Sequence, residues 1–287
     1  MPTVSVIIPA HNAERDIADA VQSVLDQTNQ DFEIIVVDDG STDGTLAALQ
    51  PFGARVRAHH QHNSGVSAAR NTGARLATGD WLAFLDADDV WMPRKLEQQL
   101  ALAMPMSFTD RLNIGARGDL PVRQSESTPM RGGDIFVALM QQSNFITTSS
   151  VMIRRDLFGE LGGFCPALRT AEDWELWLRV AARHEIGFVA EPLVQYRLHP
   201  GSLSRSYTGI NRDRIAVISR ALALPRGRAL GWMTRRQIWA ETHRTNGWDA
   251  GRSGSRMHAL AGYARAAASW PLSVVPYKEA IKVCLNV

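Results

Sequence analysis

The chain repeatedly sets a short, β-branched apolar run against a polar break, and few folds accommodate that pattern. Val4-Ser5-Val6-Ile7-Ile8-Pro9 stops at a proline, and Phe32-Glu33-Ile34-Ile35-Val36-Val37 stops at Asp38-Asp39-Gly40-Ser41-Thr42-Asp43-Gly44. A third run stops at Phe84-Leu85-Asp86-Ala87-Asp88-Asp89. Runs of this length and composition read as buried strands. Between the first two, Ile17, Ala20, Val21, Val24 and Leu25 recur at helical spacing, with Asn12 placed to cap that helix. Strand, helix, strand predicts parallel βαβ pairing with right-handed crossovers, and hence an α/β sheet flanked by helices.

In an open parallel sheet, ligands sit beyond the carboxyl ends of the strands. Residues 9–12, 38–43 and 86–89 all fall there, so three polar strand ends are expected to share one crevice. A buried strand cannot take unpaired carboxylates into the interior, so Asp86, Asp88 and Asp89 must project from its end or find partners. Hard divalent cations use one or two carboxylates and leave their other positions to water and phosphate. Asp86 and Asp88 are therefore candidates for holding a nucleotide diphosphate through Mn²⁺ or Mg²⁺. The competing reading is an acidic turn that caps the next helix.

Arg70 lies on a predicted helix over 66–77 that follows the Asn63-Ser64-Gly65 turn, where a guanidinium and free N–H groups suit an anion. Glu172-Asp173-Trp174 opens another predicted helix, over 173–183. There the acids either stabilise the helix dipole or serve as a base. Residues 144–153 read as a strand with Thr147 and Thr148 near its beginning. Residues 105–133 are rich in Arg, Gly, Ser and Pro and are expected to form a mobile loop. His59-His60-Gln61-His62 reads as an edge strand or loop and is assigned no role.

In their order, Val4 through Asn12, Val36 through Asp43, Asn63-Ser64-Gly65 with Ala69-Arg70-Asn71-Thr72-Gly73, Phe84 through Asp89 and Glu172-Asp173-Trp174 resemble the family 2 glycosyltransferases of GT-A fold. The likeness covers roughly the first two hundred residues. It implies a GT-A, Rossmann-like, mostly parallel sheet over 1–214 and a helical C-terminal extension over 215–287. It further implies an inverting transfer from a nucleotide-diphosphate sugar, a UDP-sugar favoured, to a hydroxyl of a glycan or lipid-linked acceptor.

By the same likeness, Pro9, Ala10, His11, Asn12 and Asp39 line the nucleoside pocket, with Asp39 bonding the base. Arg70, Asp86, Ala87 and Asp88 sit along the rest of the donor, Asp86 nearer the ribose. Asp88 is the leading metal ligand, with Asp86 and His199 as further ligands, and Asp173 is the general base supported by Glu172. Thr147, Thr148 and Trp174 would border the acceptor, although Trp174 also fits a core position. Where many relatives carry Tyr, this chain has His11, which leaves base preference open.

Two other functions fit parts of the pattern. A sugar nucleotidyltransferase usually has a Gly-rich basic loop after its first strand, where this chain has Pro9-Ala10-His11-Asn12. A non-catalytic nucleotide-sugar-binding protein would have no need of Asp173. The Gly-x-Gly-x-x-Gly of a dinucleotide oxidoreductase is missing. A net charge of +2 over 287 residues gives no argument for nucleic acid. Cys165 and Cys284 alone suggest no disulfide framework, which fits a reducing cytoplasm. No apolar run reaches membrane-spanning length, and 259–283, with Arg265, Lys278 and Lys282 among its aliphatics, is read as a segment suited to peripheral contact with the inner face of the plasma membrane. Oligomeric state is left open.

Overall fold

The computed structural model describes residues 3–115, 121–142, 144–198 and 207–285. His199, read as a metal ligand, lies outside the described residues. Packing groups the chain into two compact units. The first comprises 1–135, 145–167 and 183–200; the second comprises 136–144, 168–182 and 201–287.

The first unit is built on one mixed sheet. Its strands are β1 (Val4–Ala10), β2 (Phe32–Asp39), β3 (Val56–Gln61), β4 (Trp81–Phe84), β5 (Val90–Trp91), β6 (Met106–Ile114), β7 (Val122–Arg123), β8 (Met152–Arg154) and β9 (Gly187–Arg197). Their order is β3-β2-β1-β4-β8-β6-β9-β5, with β7 paired to β6. The pairings β3-β2-β1-β4 are all parallel, and β8 joins β4 antiparallel. This is the expected α/β class, and in the other half of the sheet β6 and β9 also pair in parallel.

Strand alternation explains why helices cover both faces. Val4, Val6, Ile8 and Ala10 share a core cluster with Ile17, Val21 and Val24 of the helix Ile17–Leu25. Ile7 points the other way, toward the helix Val66–Leu76, where a Cβ on Gly73 would lie 2.4 Å from Ile7 Cγ2. Only a hydrogen fits between that helix and the sheet.

Three sequence expectations are corrected. Asn12 caps no helix: the first helix starts at Ile17 behind Asp16, and Asn12 sits at φ 51°, bridging two loops. Residues 105–133 are not a loop throughout, because 106–114 form β6, with Met106, Phe108, Thr109 and Asp110 buried. Its polar composition suggests a loop, but Asp110 is buried with partners, accepting from Ser125 Oγ at 2.6 Å and Arg123 Nε at 3.2 Å. Residues 144–153 are not one strand: 148–150 form a 3₁₀ turn, and only 152–154 pair.

The second unit is helical, with Phe136–Gln141, Glu172–Ala181, Tyr207–Ala223, Trp232–Arg252, Arg256–Ser269 and Val275–Leu285 as its main elements. Asp213 accepts from Arg169 N at 3.0 Å, Thr170 N at 3.1 Å and Thr170 Oγ1 at 2.9 Å. These bonds fix the segment that leads into Glu172–Ala181. Among the described residues, no helix is long and apolar enough to cross a membrane.

Candidate active site

The carboxyl ends of β1, β2 and β4 carry a hydrogen-bonded set of loops in the first unit. Asn12 N donates to Ser41 Oγ at 2.9 Å, and Asn12 Oδ1 accepts from Thr42 N at 2.9 Å. Ala13 N donates to Thr45 Oγ1 at 2.8 Å, Glu14 N to Asp43 Oδ2 at 3.1 Å, and Gly44 N to Glu14 Oε2 at 2.9 Å. The positive φ of Asn12 is therefore held by bonds from both loops. His11 Nδ1 lies 2.9 Å from Asp39 O, and its Nε2 lies 3.3 Å from Asn63 Nδ2. The tautomer with Nδ1–H donating to the carbonyl satisfies both contacts.

Asp39 is 4% exposed, and its carboxylate accepts from Gln61 Nε2 at 2.7 Å, Ser64 N at 2.9 Å and Gly65 N at 2.8 Å. It thereby pins the turn that opens the helix Val66–Leu76. Its neighbour Asp38 is fully buried and meets His60 Nδ1 at 2.6 Å. His60 stands on edge strand β3, as the sequence suggested for that cluster.

The three acids after β4, Asp86, Asp88 and Asp89, have different surroundings. Asp86 accepts from Arg70 Nη2 at 2.5 Å, and the Arg70 guanidinium lies 5.3 Å from the Phe164 ring centroid. Arg70 is 4% exposed, while the Asp86 side chain is 28% exposed. Asp88 is half-buried. Asp89 is turned inward, accepting from Ser149 Oγ at 2.5 Å and Arg197 N at 3.2 Å. Burial, then the Asp86 and Asp88 charges, push its carboxyl well above the usual range. Ser149 Oγ also accepts from Asp86 N at 3.1 Å, so one buried hydroxyl joins the inward acid to the outward one.

Arg111 and Tyr196 complete this neighbourhood. The Arg111 guanidinium lies 4.0 Å from the Tyr196 ring centroid, and its Nη1 donates to Thr147 Oγ1. Burial raises the Tyr196 hydroxyl pKa, Arg111 opposes that, and Asp89, Asp86 and Asp88 add to it. Thr147 thus serves an arginine, and Thr148 is buried.

The remaining predicted residues belong to the second unit. Asp173, in the first turn of Glu172–Ala181, accepts from Asn144 Nδ2 at 2.9 Å and from Trp174 N at 2.6 Å. Glu172 is 7% exposed. Trp174 is 3% exposed and donates its indole N–H to Leu139 O at 3.1 Å. That corrects its placement beside the acceptor: its ring is core, as the helical spacing of apolar residues also allowed.

Sequence reasoning missed Ser149, Phe164, Arg111, Tyr196, Asn144 and Asp213. Ser149, Phe164, Arg111 and Asn144 each contact a predicted residue far off in sequence, while Tyr196 and Asp213 contact Arg111 and residues 169–170, so no local spacing announces them.

The two partly exposed acids, Asp86 and Asp88, have the donor chemistry that a divalent ion takes. Among the described residues no three His, Cys, Asp or Glu side chains converge on one metal position. Asp86 and Asp88 would supply two hard oxygen donors and leave the rest to water and phosphate, the pattern Mg²⁺ and Mn²⁺ accept.

The sequence matches the profile Glycosyl transferase family 2 over residues 5–162. It is 36% identical over 215 residues to the putative teichuronic acid biosynthesis glycosyltransferase TuaG of Bacillus subtilis, covering 71% of this chain and 82% of that one. It is 35% identical over 222 residues to an uncharacterized glycosyltransferase of Rickettsia felis; that match covers 75% of this chain and 36% of the longer Rickettsia protein. In fold it resembles S. aureus TarS 1-349 in complex with UDP-GlcNAc, with TM-score 0.63, 18% identity, and coverage of 99% of this chain and 92% of that chain. It likewise resembles the mannosyltransferase PcManGT of Pyrobaculum calidifontis in complex with GDP-Man and Mn²⁺, with TM-score 0.67, 19% identity, and coverage of 99% and 80%. With the profile match spanning more than half of the chain, the chain belongs to glycosyl transferase family 2.

Proposed function

We propose that this chain is an inverting glycosyltransferase that moves a sugar from a nucleotide-diphosphate donor, a UDP-sugar favoured, to a hydroxyl of a glycan or lipid-linked acceptor. Residues 1–214 form the catalytic domain in this reading, and 215–287 a helical extension. The observation that carries it is the division among Asp86, Asp88 and Asp89. The third acid is locked inward by Ser149, while the first two stay partly exposed after β4, the strand that runs parallel to β1. The complexes of PcManGT with GDP-Man and Mn²⁺ and of TarS with UDP-GlcNAc support a nucleotide-sugar donor, and the first supports Mn²⁺. The name of TuaG supports a cell-envelope polysaccharide acceptor.

Asp88, with Asp86, would hold the divalent ion, which when bound supplies positive charge against the departing diphosphate. Arg70 keeps Asp86 oriented. His11, Asn12 and Asp39 line the nucleoside end. The acceptor oxygen attacks the anomeric carbon, the bond to the diphosphate oxygen breaks, and the hydroxyl proton passes to Asp173. Asn144 holds one oxygen of that carboxylate and Trp174 N the other, fixing its orientation.

Calorimetry with nucleotide sugars, with and without Mn²⁺, tests the roles. Asp88→Asn is expected to abolish metal-dependent donor binding, and Asp173→Asn to keep donor binding and lose transfer. The opposite pattern would overturn the assignment. A thermal-shift screen of nucleoside diphosphates identifies the base.

A further inference from the structure

The helix Val275–Leu285 in the second unit is amphipathic in the inverted sense. On one side, Pro276 is buried, and Ala280 and Val283 pack onto the cluster of Ala250, Ala259 and Tyr263. Arg256 Nη2 donates to Val283 O at 2.8 Å and to Cys284 O at 3.1 Å, fastening the helix end by bonds to its last carbonyls. On the other side, Val274, Tyr277, Ile281 and Leu285 are 62%, 48%, 57% and 67% exposed. Their spacing of three, four and four residues puts them within an arc of about 80° at 3.6 residues per turn. A water-facing stripe of four large apolar side chains is costly unless something covers it.

The surrounding charge says what does. Lys278 and Lys282 run along one edge of the stripe, with Glu279 paired to Lys282 at 3.0 Å. Residues 232–285 hold eight Arg and Lys against three Asp and Glu, although the whole chain carries only +2. Two copies of the chain meeting through this face would bring like charges together. An anionic surface with an apolar interior satisfies both features.

We propose that this face lies on an anionic lipid bilayer, the helix parallel to the membrane plane, with Ile281 and Leu285 at the acyl boundary and the lysines among the headgroups. The inference goes beyond the transferase reading, and its test needs no nucleotide sugar, so each stands or falls separately. The full chain is floated with phosphatidylcholine vesicles and with vesicles containing 30% phosphatidylglycerol, a fraction of about one third chosen to give a strongly negative surface potential. Binding is expected to the anionic vesicles only. Ile281→Asp with Leu285→Asp should lower it at least tenfold. Lys278→Gln should lower it about fivefold, the factor that ~1 kcal/mol per lysine near the surface converts to. Far-UV circular dichroism unchanged from the parent shows that the variants are folded. No flotation with anionic vesicles, or flotation unaffected by the double variant, overturns the proposal. So does a parent dimer in light scattering that the double variant converts to monomer, because the stripe is then a self-interface.

Discussion

Ser149 lies some sixty residues from the acids it organises, and its removal tests whether they form one unit. Its hydroxyl is fully buried, donates to Asp89 Oδ2 at 2.5 Å and accepts from Asp86 N at 3.1 Å. Ser149→Ala deletes both bonds and gives neither partner water. A hydrogen bond to a carboxyl group of this kind is worth about 1.5–3 kcal/mol, and an abandoned buried N–H costs about 1–3 kcal/mol. Asp89 keeps the Arg197 N–H at 3.2 Å, so the low end applies to it. The expected loss is then about 2–4 kcal/mol, which at roughly 2–4 °C per kcal/mol lowers the melting temperature by about 4–16 °C. The loop 86–88 also loses its tether, and supports of this sort change metal affinity by about 10–100-fold. Scanning calorimetry and Mn²⁺-dependent nucleoside diphosphate titration read the two effects. Asp89→Asn is the companion variant. Its amide oxygen still accepts from Arg197 N while its amide nitrogen donates to Ser149 Oγ with the sense of that bond reversed, and burial already disfavours the charged form, so it should cost less than Ser149→Ala. A Ser149→Ala protein that melts within about 1 °C of the parent and binds Mn²⁺ and nucleotide equally well would refute the linkage.

Gly73→Ala should destabilise the fold by about 1–2 kcal/mol, because overpacking against Ile7 outweighs the helix-propensity gain of about 1 kcal/mol. A higher melting temperature would contradict that. Asn144→Ala should lower kcat by about 10–100-fold and leave donor KM unchanged, since it removes the bond to Oδ2 that, with Trp174 N on Oδ1, orients the Asp173 carboxylate. A matching rise in donor KM would contradict this role. Lys95 is fully buried over the Trp91 ring, bonded to Gln99 Oε1 at 2.6 Å, and burial depresses its pKa well below the usual range. Between that depressed value and the unfolded one near ~10.4, the unfolded chain binds the extra proton, so parent stability rises with pH. The stability of Lys95→Met minus that of the parent should therefore fall as pH rises toward 10, the upper limit set by the unfolded value of ~10.4; melts across that range showing a constant difference would refute it.

Much of the fold follows from the first ninety or so residues because there the signals are local and agree. β-branched runs, a helical period between them and turn residues after them all specify the same parallel unit. The misreadings share one cause. The 106–114 strand carries Ser107, Thr109 and Asp110 as buried residues, and a buried acid is recognisable only through partners such as Ser125 and Arg123. Asn12 carries a capping residue's chemistry, yet spends it on Thr42 in the neighbouring loop. Trp174 and Trp177 have the helical spacing of core residues, a reading placed ahead of a sugar platform for Trp174, and packing buries both.

The acids at 86, 88 and 89 show why the candidate site was legible in kind but not in detail. Adjacent residues of one type carry no sequence signal for separate roles. A strand end needs only to shed charge it cannot bury, and three carboxylates meet that condition equally well. What separates them comes from elsewhere: Arg70 on a helix held shut by Asp39, and Ser149 in a 3₁₀ turn between β4 and β6. Each was recruited from a distant segment, and each fixes a different acid. Three like charges within a few ångströms cannot all remain exposed and ionised without mutual repulsion. Turning one inward relieves that repulsion and leaves two outward acids, the number a hard divalent cation takes from a protein when phosphate supplies the rest.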